Sequence, residues 1–80
     1  DIYEILSRKK ANDTMAALLF DAMAYQVAKE IGRCAAAVCG CVDRIILTGR
    51  LAGCDDFTAE VESMVSFIAG VTVYSGDLQQ

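Results

Sequence analysis

The chain has no histidine and no proline, and its 80 residues carry only seven basic side chains against eleven acidic ones. Without histidine, no zinc site of the mixed cysteine and histidine type can form. The net charge of −4 argues against a nucleic-acid partner, because phosphate binding needs a basic face that displaces counterions. Arg8-Lys9-Lys10 is the only basic run, and beside Ala11-Asn12-Asp13 it reads as the solvated end of a first helix. Long apolar runs are missing too: no segment approaches the roughly 20 residues of a membrane-spanning helix. With no secretory signal ahead of the domain, a soluble, cytoplasmic protein with no membrane partner is expected.

What the chain does have is apolar character. Hydrophobic residues make up 55% and charged residues 22%, against about 45–50% and about 25% in ordinary soluble domains. A domain of this size buries only about 60% of its unfolded surface, so part of the excess must reach the outside. Patches of that kind mark partner surfaces. Association is therefore expected, either with the remainder of a larger protein or with another copy of the chain as a homo-oligomer.

Four cysteines, Cys34, Cys39, Cys41 and Cys54, are poorly spaced for metal or for bridges. Cys39-Gly40-Cys41 is not the two-residue-separated pair of a zinc knuckle. Cys34 falls on the apolar face of a helix. The four are expected to be small buried hydrophobes with reduced thiols.

Ile2, Ile5 and Leu6 recur at helical spacing from Asp1 to about Lys9, ahead of an Asn12-Asp13 break. From about Thr14 to Cys39, the positions Ala16, Phe20, Met23, Val27, Ile31, Cys34 and Val38 step by three or four and share one face of a helix roughly 39 Å long. Between Met15 and Ala28 only Asp21 and Gln26 are strongly polar, so that half is expected to be enclosed on several sides. Lys29 and Arg33 read as its solvated edge, and Gly40 as its left-handed cap. Ile45-Ile46-Leu47 predicts a strand covered on both faces. Asp55 and Asp56 are expected to cap a helix with Phe57, Val61, Met64 and Ile68 on its apolar face and Gly70 at its end. Val71-Thr72-Val73-Tyr74 predicts a second strand, and Ser75-Gly76 turns the chain out. A long helix followed by strand, helix and strand gives an α/β class with a parallel pair joined by a right-handed crossover. Asp55, Asp56, Glu60 and Glu62 suggest no catalytic or metal set, since carboxylates at a helix start are explained by its dipole.

The functional signal lies in Arg44-Ile45-Ile46-Leu47-Thr48-Gly49-Arg50-Leu51-Ala52. At the carboxyl end of a parallel strand, glycine lets the backbone turn sharply and approach a ligand closely. Taken alone, Thr-Gly after an apolar run is a plain strand-to-loop turn. Two flanking blocks change that reading: Asp21-Ala22-Met23-Ala24-Tyr25-Gln26-Val27-Ala28-Lys29-Glu30-Ile31-Gly32 before it, and Val65-Ser66-Phe67-Ile68-Ala69-Gly70-Val71-Thr72-Val73-Tyr74 after it. With all three in order, the chain from about Asp13 to Gly76 resembles the carboxyl-terminal part of butyrate kinase. The resemblance implies an ATP-dependent carboxylate kinase of the acetate kinase type, in the superfamily that also holds sugar kinases and actin. Residues 1–80 would then form a single partial domain, a fragment of an actin-like, ribonuclease H-like ATPase lobe. In that family the strand runs into Leu-Thr-Gly-Gly against the nucleotide, which carries over onto Leu47, Thr48 and Gly49. Nucleotide contact is accordingly expected from Thr48, Gly49, Arg50, Leu51, Ala52 and Gly53, with ATP and Mg2+ as the implied cofactors.

Arg50 stands where the family has its second glycine. If the turn needs a positive φ there, arginine brings strain and bulk. Beside a phosphate its guanidinium would instead make charge-assisted hydrogen bonds, and away from one it is a surface arginine. Thr48 bonds either a phosphate or its own turn. Gly70 and Ser75 also depart from the family, standing where prolines are expected, and Cys54 where serine is common. Phosphoryl transfer needs the γ-phosphate, its metal and the nucleophile positioned together, which one turn cannot supply. The expected function is the carboxyl-terminal portion of a butyrate kinase-like enzyme, which makes acyl phosphate and ADP from ATP and butyrate or a similar short-chain acid. No catalytic residue is expected in this portion. The alternative is a diverged, non-catalytic remnant acting as an assembly or interaction module.

Overall fold

A computed structural model of the chain describes residues 1–75, so the turn expected at Ser75-Gly76, which needs Gly76, lies outside the described residues. Helix α1, Ile2–Lys10, begins at Asp1, whose carboxylate accepts the Glu4 amide at 2.9 Å. It ends with Asn12 in the left-handed region at φ 68. The amides of Asn12 and Asp13 donate back to the carbonyls of Lys9 and Arg8, the double bond of a Schellman cap. Asparagine tolerates that conformation better than most residues. The Asp13 carboxylate then accepts the amides of Met15 and Ala16 and starts helix α2, Thr14–Ala37. The two residues expected as a break thus act separately, one ending α1 and the other beginning α2.

At 1.5 Å per residue α2 is about 36 Å long, and the molecule extends 40 Å along its longest axis. Its cap differs from the expectation at Gly40. Cys39 is already left-handed at φ 57, followed by Gly40 at φ 76. The Gly40 amide reaches Ala35 O at 2.7 Å and the Cys39 amide reaches Ala36 O. Schellman bonding puts the left-handed residue one position before the amide that reaches back furthest, so the cap starts at Cys39.

Strands β1, Ile45–Leu47, and β2, Val71–Val73, pair in parallel with Ile45 opposite Val71 and Leu47 opposite Val73. Between them the chain makes a 3-10 turn, Arg50–Gly53, and helix α3, Asp55–Val65. Asp55 and Asp56 do not cap α3. Cys54 holds the cap position without a side-chain bond, and the aspartates lie in the first turn, where they interact with the helix dipole. Nor does α3 run to Gly70: it stops at Val65. Gly70 serves a close approach instead, because a Cβ there would lie 3.3 Å from the Arg44 guanidinium, which donates to Thr72 Oγ1 at 2.8 Å.

The core gathers Ile2, Phe20, Ala24, Ala28, Ile45, Cys54, Phe57, Val61 and Val65, with the rings of Phe20 and Phe57 edge to face at 5.7 Å. Of the predicted stripe of α2, Ala16 and Phe20 are buried, and beyond them the most buried line shifts to the neighbouring alanines. Ala24, Ala28 and Ala35 are buried, Met23, Val27 and Ile31 are half-buried, and Cys34 and Val38 are exposed. The first half of α2 is not enclosed, since Met15, Leu18, Leu19 and Tyr25 face outward; among the described residues only α1, α3 and one strand pair are available to cover it. Ile46 is likewise 57% exposed, so the strand pair is covered on one face rather than two. Of the cysteines only Cys54 is buried; Cys34 near the end of α2 and Cys39 and Cys41 after it are exposed. No helix among the described residues is long and apolar enough to cross a membrane.

Candidate functional site

The sheet delivers the Thr48-Gly49 turn at the carboxyl end of β1. The Leu47 carbonyl accepts the Tyr74 amide at 2.9 Å, which completes the strand's pairing and lets the chain leave the sheet at Thr48. Gly49 follows with φ 97 and ψ −167, a conformation essentially confined to glycine. A Cβ built there meets no atom within 4 Å. Glycine is therefore required by the backbone and not by crowding, and the space in front of the turn is open. The Gly49 carbonyl accepts the Ala52 amide, and Leu51 O accepts the amide of Cys54, so the chain curls directly into α3.

Arg50 is the first residue of that curl, and positive φ in the turn is confined to Gly49. The strain considered for arginine does not arise. Its side chain is exposed and makes no ion pair among the described residues. Thr48 and Gly53 are exposed as well, and Gly49 and Leu51 are half-buried. Ala52 turns inward and is buried. It helps to wall a cavity of about 110 Å³ behind the turn, floored by Val27, Phe57 and Val61. Ligand pockets usually exceed about 300 Å³, so this space does not hold a nucleotide. The turn offers an open outer surface, not an enclosed pocket. Sequence reasoning did not place the α3 residues beside the turn; the adjacent Phe57-Thr58 pair and Val61 one turn later were the available sign. The Thr58 hydroxyl is satisfied by donating to Asp55 O at 3.2 Å.

The electrostatics favour the turn over the helix end. Asp55 and Asp56 occupy the first turn of α3, which sets negative charge where the helix dipole would otherwise attract an anion. Arg50 supplies positive charge at the mouth of the turn. The basic run is more than a solvated helix end: Arg8 pairs with Glu4 at 2.8 Å, Lys9 with Asp21 at 2.6 Å and Lys10 with Asp56 at 3.6 Å. The first lies within α1, and the other two tie α1 to α2 and α3. On the exposed edge of α2, hydrogen bonding and charge from Arg33 hold the Glu30 carboxyl below its ordinary range. Among the described residues no three His, Cys, Asp or Glu side chains come together as a cation site. The turn presents an open face with the exposed Arg50 side chain at its edge, and among the described residues no carboxylate cluster stands beside it to hold a magnesium ion.

No family model matches the chain. Curated relatives do. It is 50% identical over 76 residues to a protein named "Probable butyrate kinase 2" from Caldanaerobacter subterraneus subsp. tengcongensis, covering 95% of this chain and 22% of that protein. It is 46% identical over 74 residues to a "Probable butyrate kinase" of Listeria welshimeri, covering 92% of this chain and 21% of the relative. A "Probable butyrate kinase" of Bacteroides thetaiotaomicron is 40% identical over 77 residues, covering 96% and 22%. The chain spans about a fifth of the length of the curated relatives it matches.

Proposed function

We propose that this chain, which is a homologue of the carboxyl-terminal portion of the butyrate kinases, forms one wall of the nucleotide site in an ATP-dependent carboxylate kinase of the cytoplasm. The observation that carries this reading is Gly49, which holds a glycine-only backbone conformation at the carboxyl end of a parallel strand with open space before it. Ligands of open α/β sheets sit at that end. Thr48, Arg50 and Gly53 are the exposed contacts, and Arg50 is suited to a phosphate oxygen. ATP would supply the transferred phosphoryl group. Its magnesium ion and the acyl acceptor belong to the remaining four-fifths of such an enzyme, which would extend the strand pair into an actin-like lobe and cover Ile46. The outward stripe of Met15, Leu18, Leu19 and Tyr25 favours a second reading, a module that only assembles with the rest of the kinase or with its own copy.

Grafting the chain in place of the matching part of the Caldanaerobacter relative separates the two. ATP-dependent acyl phosphate formation by the graft, with a loss of about 100-fold on Gly49→Val, is the expected outcome. A graft that folds and assembles but forms no acyl phosphate contradicts the nucleotide reading and leaves the module.

A further inference from the structure

We propose that Cys39 and Cys41 form a thiol–disulfide exchange site for small-molecule disulfides, independent of the nucleotide reading. The Cys41 amide donates to Val38 O at 3.0 Å, closing a four-residue turn whose central residues, Cys39 and Gly40, both have positive φ. The two cysteines are two Cα steps of about 3.8 Å apart, a span of at most about 7.6 Å that the curl of the turn shortens toward the range of about 4.4–6.8 Å that a disulfide bridges. Both are exposed. On the Gly40 side of the turn lies a hollow of about 330 Å³, bounded by Gly32, Ala35, Ala36, Phe67 and Ile68, which matches the small end of ligand-sized pockets at about 300 Å³. Of the turn only Gly40 lines that hollow, and a small disulfide reaches the two sulfurs from solvent, to which both side chains are exposed.

The chemistry balances without a further oxidant. One thiolate of the pair attacks the small disulfide, making a mixed disulfide and expelling one small thiolate. The second thiolate attacks the protein sulfur of that mixed disulfide, closing the Cys39–Cys41 bond and expelling the other. The two protons leaving the cysteines finish on the two small thiols. The pair is oxidised by two electrons and the small disulfide is reduced by two.

The neighbouring thiols provide controls. Cys34 is exposed, with the Arg33 guanidinium 4.0 Å from its sulfur, and has no thiol two positions away, so it stops at the mixed disulfide. Cys54 is 2% exposed and stays reduced. The chain is treated with oxidised glutathione, quenched with acid, alkylated and mapped by peptide fragmentation. The expected products are a Cys39–Cys41 bond, glutathione on Cys34, and glutathione trapped on Cys39 in Cys41→Ser. Glutathione retained on Cys39 or Cys41 of the unsubstituted chain, a bond that uses Cys34, or unreacted Cys39 and Cys41 beside a modified Cys34 would each overturn the assignment. Serine in this exposed turn, checked by an unchanged unfolding midpoint, keeps the variant informative.

Discussion

Two positive-φ residues respond in opposite directions to substitution. Gly49 needs its φ of 97, yet a Cβ there touches nothing within 4 Å, so Gly49→Ala costs only backbone strain, about 1–3 kcal/mol, measured as a lowered urea midpoint. Cys39 holds φ 57 with a side chain, and Cys39→Gly stabilises by about 1 kcal/mol in the same measurement. The Gly49 requirement was legible in the sequence, because a single glycine ends an apolar run. That of Cys39 was not: the adjacent Gly40 drew the cap onto itself, and only the backbone bonding fixes which of the two comes first. The strain considered for Arg50 also could not be decided from its neighbours, since it depends on which residue of the turn carries the positive φ.

Among the elements, α2 shows why periodicity identified a helix and the start of its buried face, at Ala16 and Phe20, but not the alanine line that continues it. Both of its stripes are apolar, one rich in small alanines and one carrying Leu18, Leu19 and Tyr25. Ala24 and Ala28 lie inward because close packing of α3 rewards small residues there, a tertiary demand that hydrophobicity does not report. Two contacts of α2 can be tested. Lys9 joins α1 to Asp21 at 2.6 Å and lies 4.6 Å over the Phe20 ring, so Lys9→Ala lowers stability by about 1 kcal/mol, with part of the loss shared by Asp21→Asn in a double-mutant cycle. Arg33 holds the Glu30 carboxyl below its ordinary value of 4.5. A depressed carboxylate contributes stability that is present above the unfolded value and lost as pH falls through the folded one. Thermal unfolding recorded on either side of 4.5 therefore declines less steeply toward acid in Glu30→Gln than in the unsubstituted chain.

For the whole molecule, the apolar excess of the composition has a location: the outer stripe of α2, Ile46 on the open sheet face and Phe67 at 85% exposure. Size-exclusion with light scattering across micromolar concentrations should show association that Leu18→Glu weakens, whereas a single monomer peak at every concentration contradicts this. The α/β class, the parallel pair and the glycine turn were all readable, because strand, helix and strand each have a distinct local pattern. The cavity behind the turn was not, because it depends on where α3 packs against α2. The nucleotide contact at the turn is tested most directly by titrating magnesium-ATP into the isotopically labelled chain and following its amides. Shifts confined to Thr48 through Gly53, and lost in Gly49→Val, are the expected result; no shift up to millimolar nucleotide, or shifts centred on another element, would contradict it.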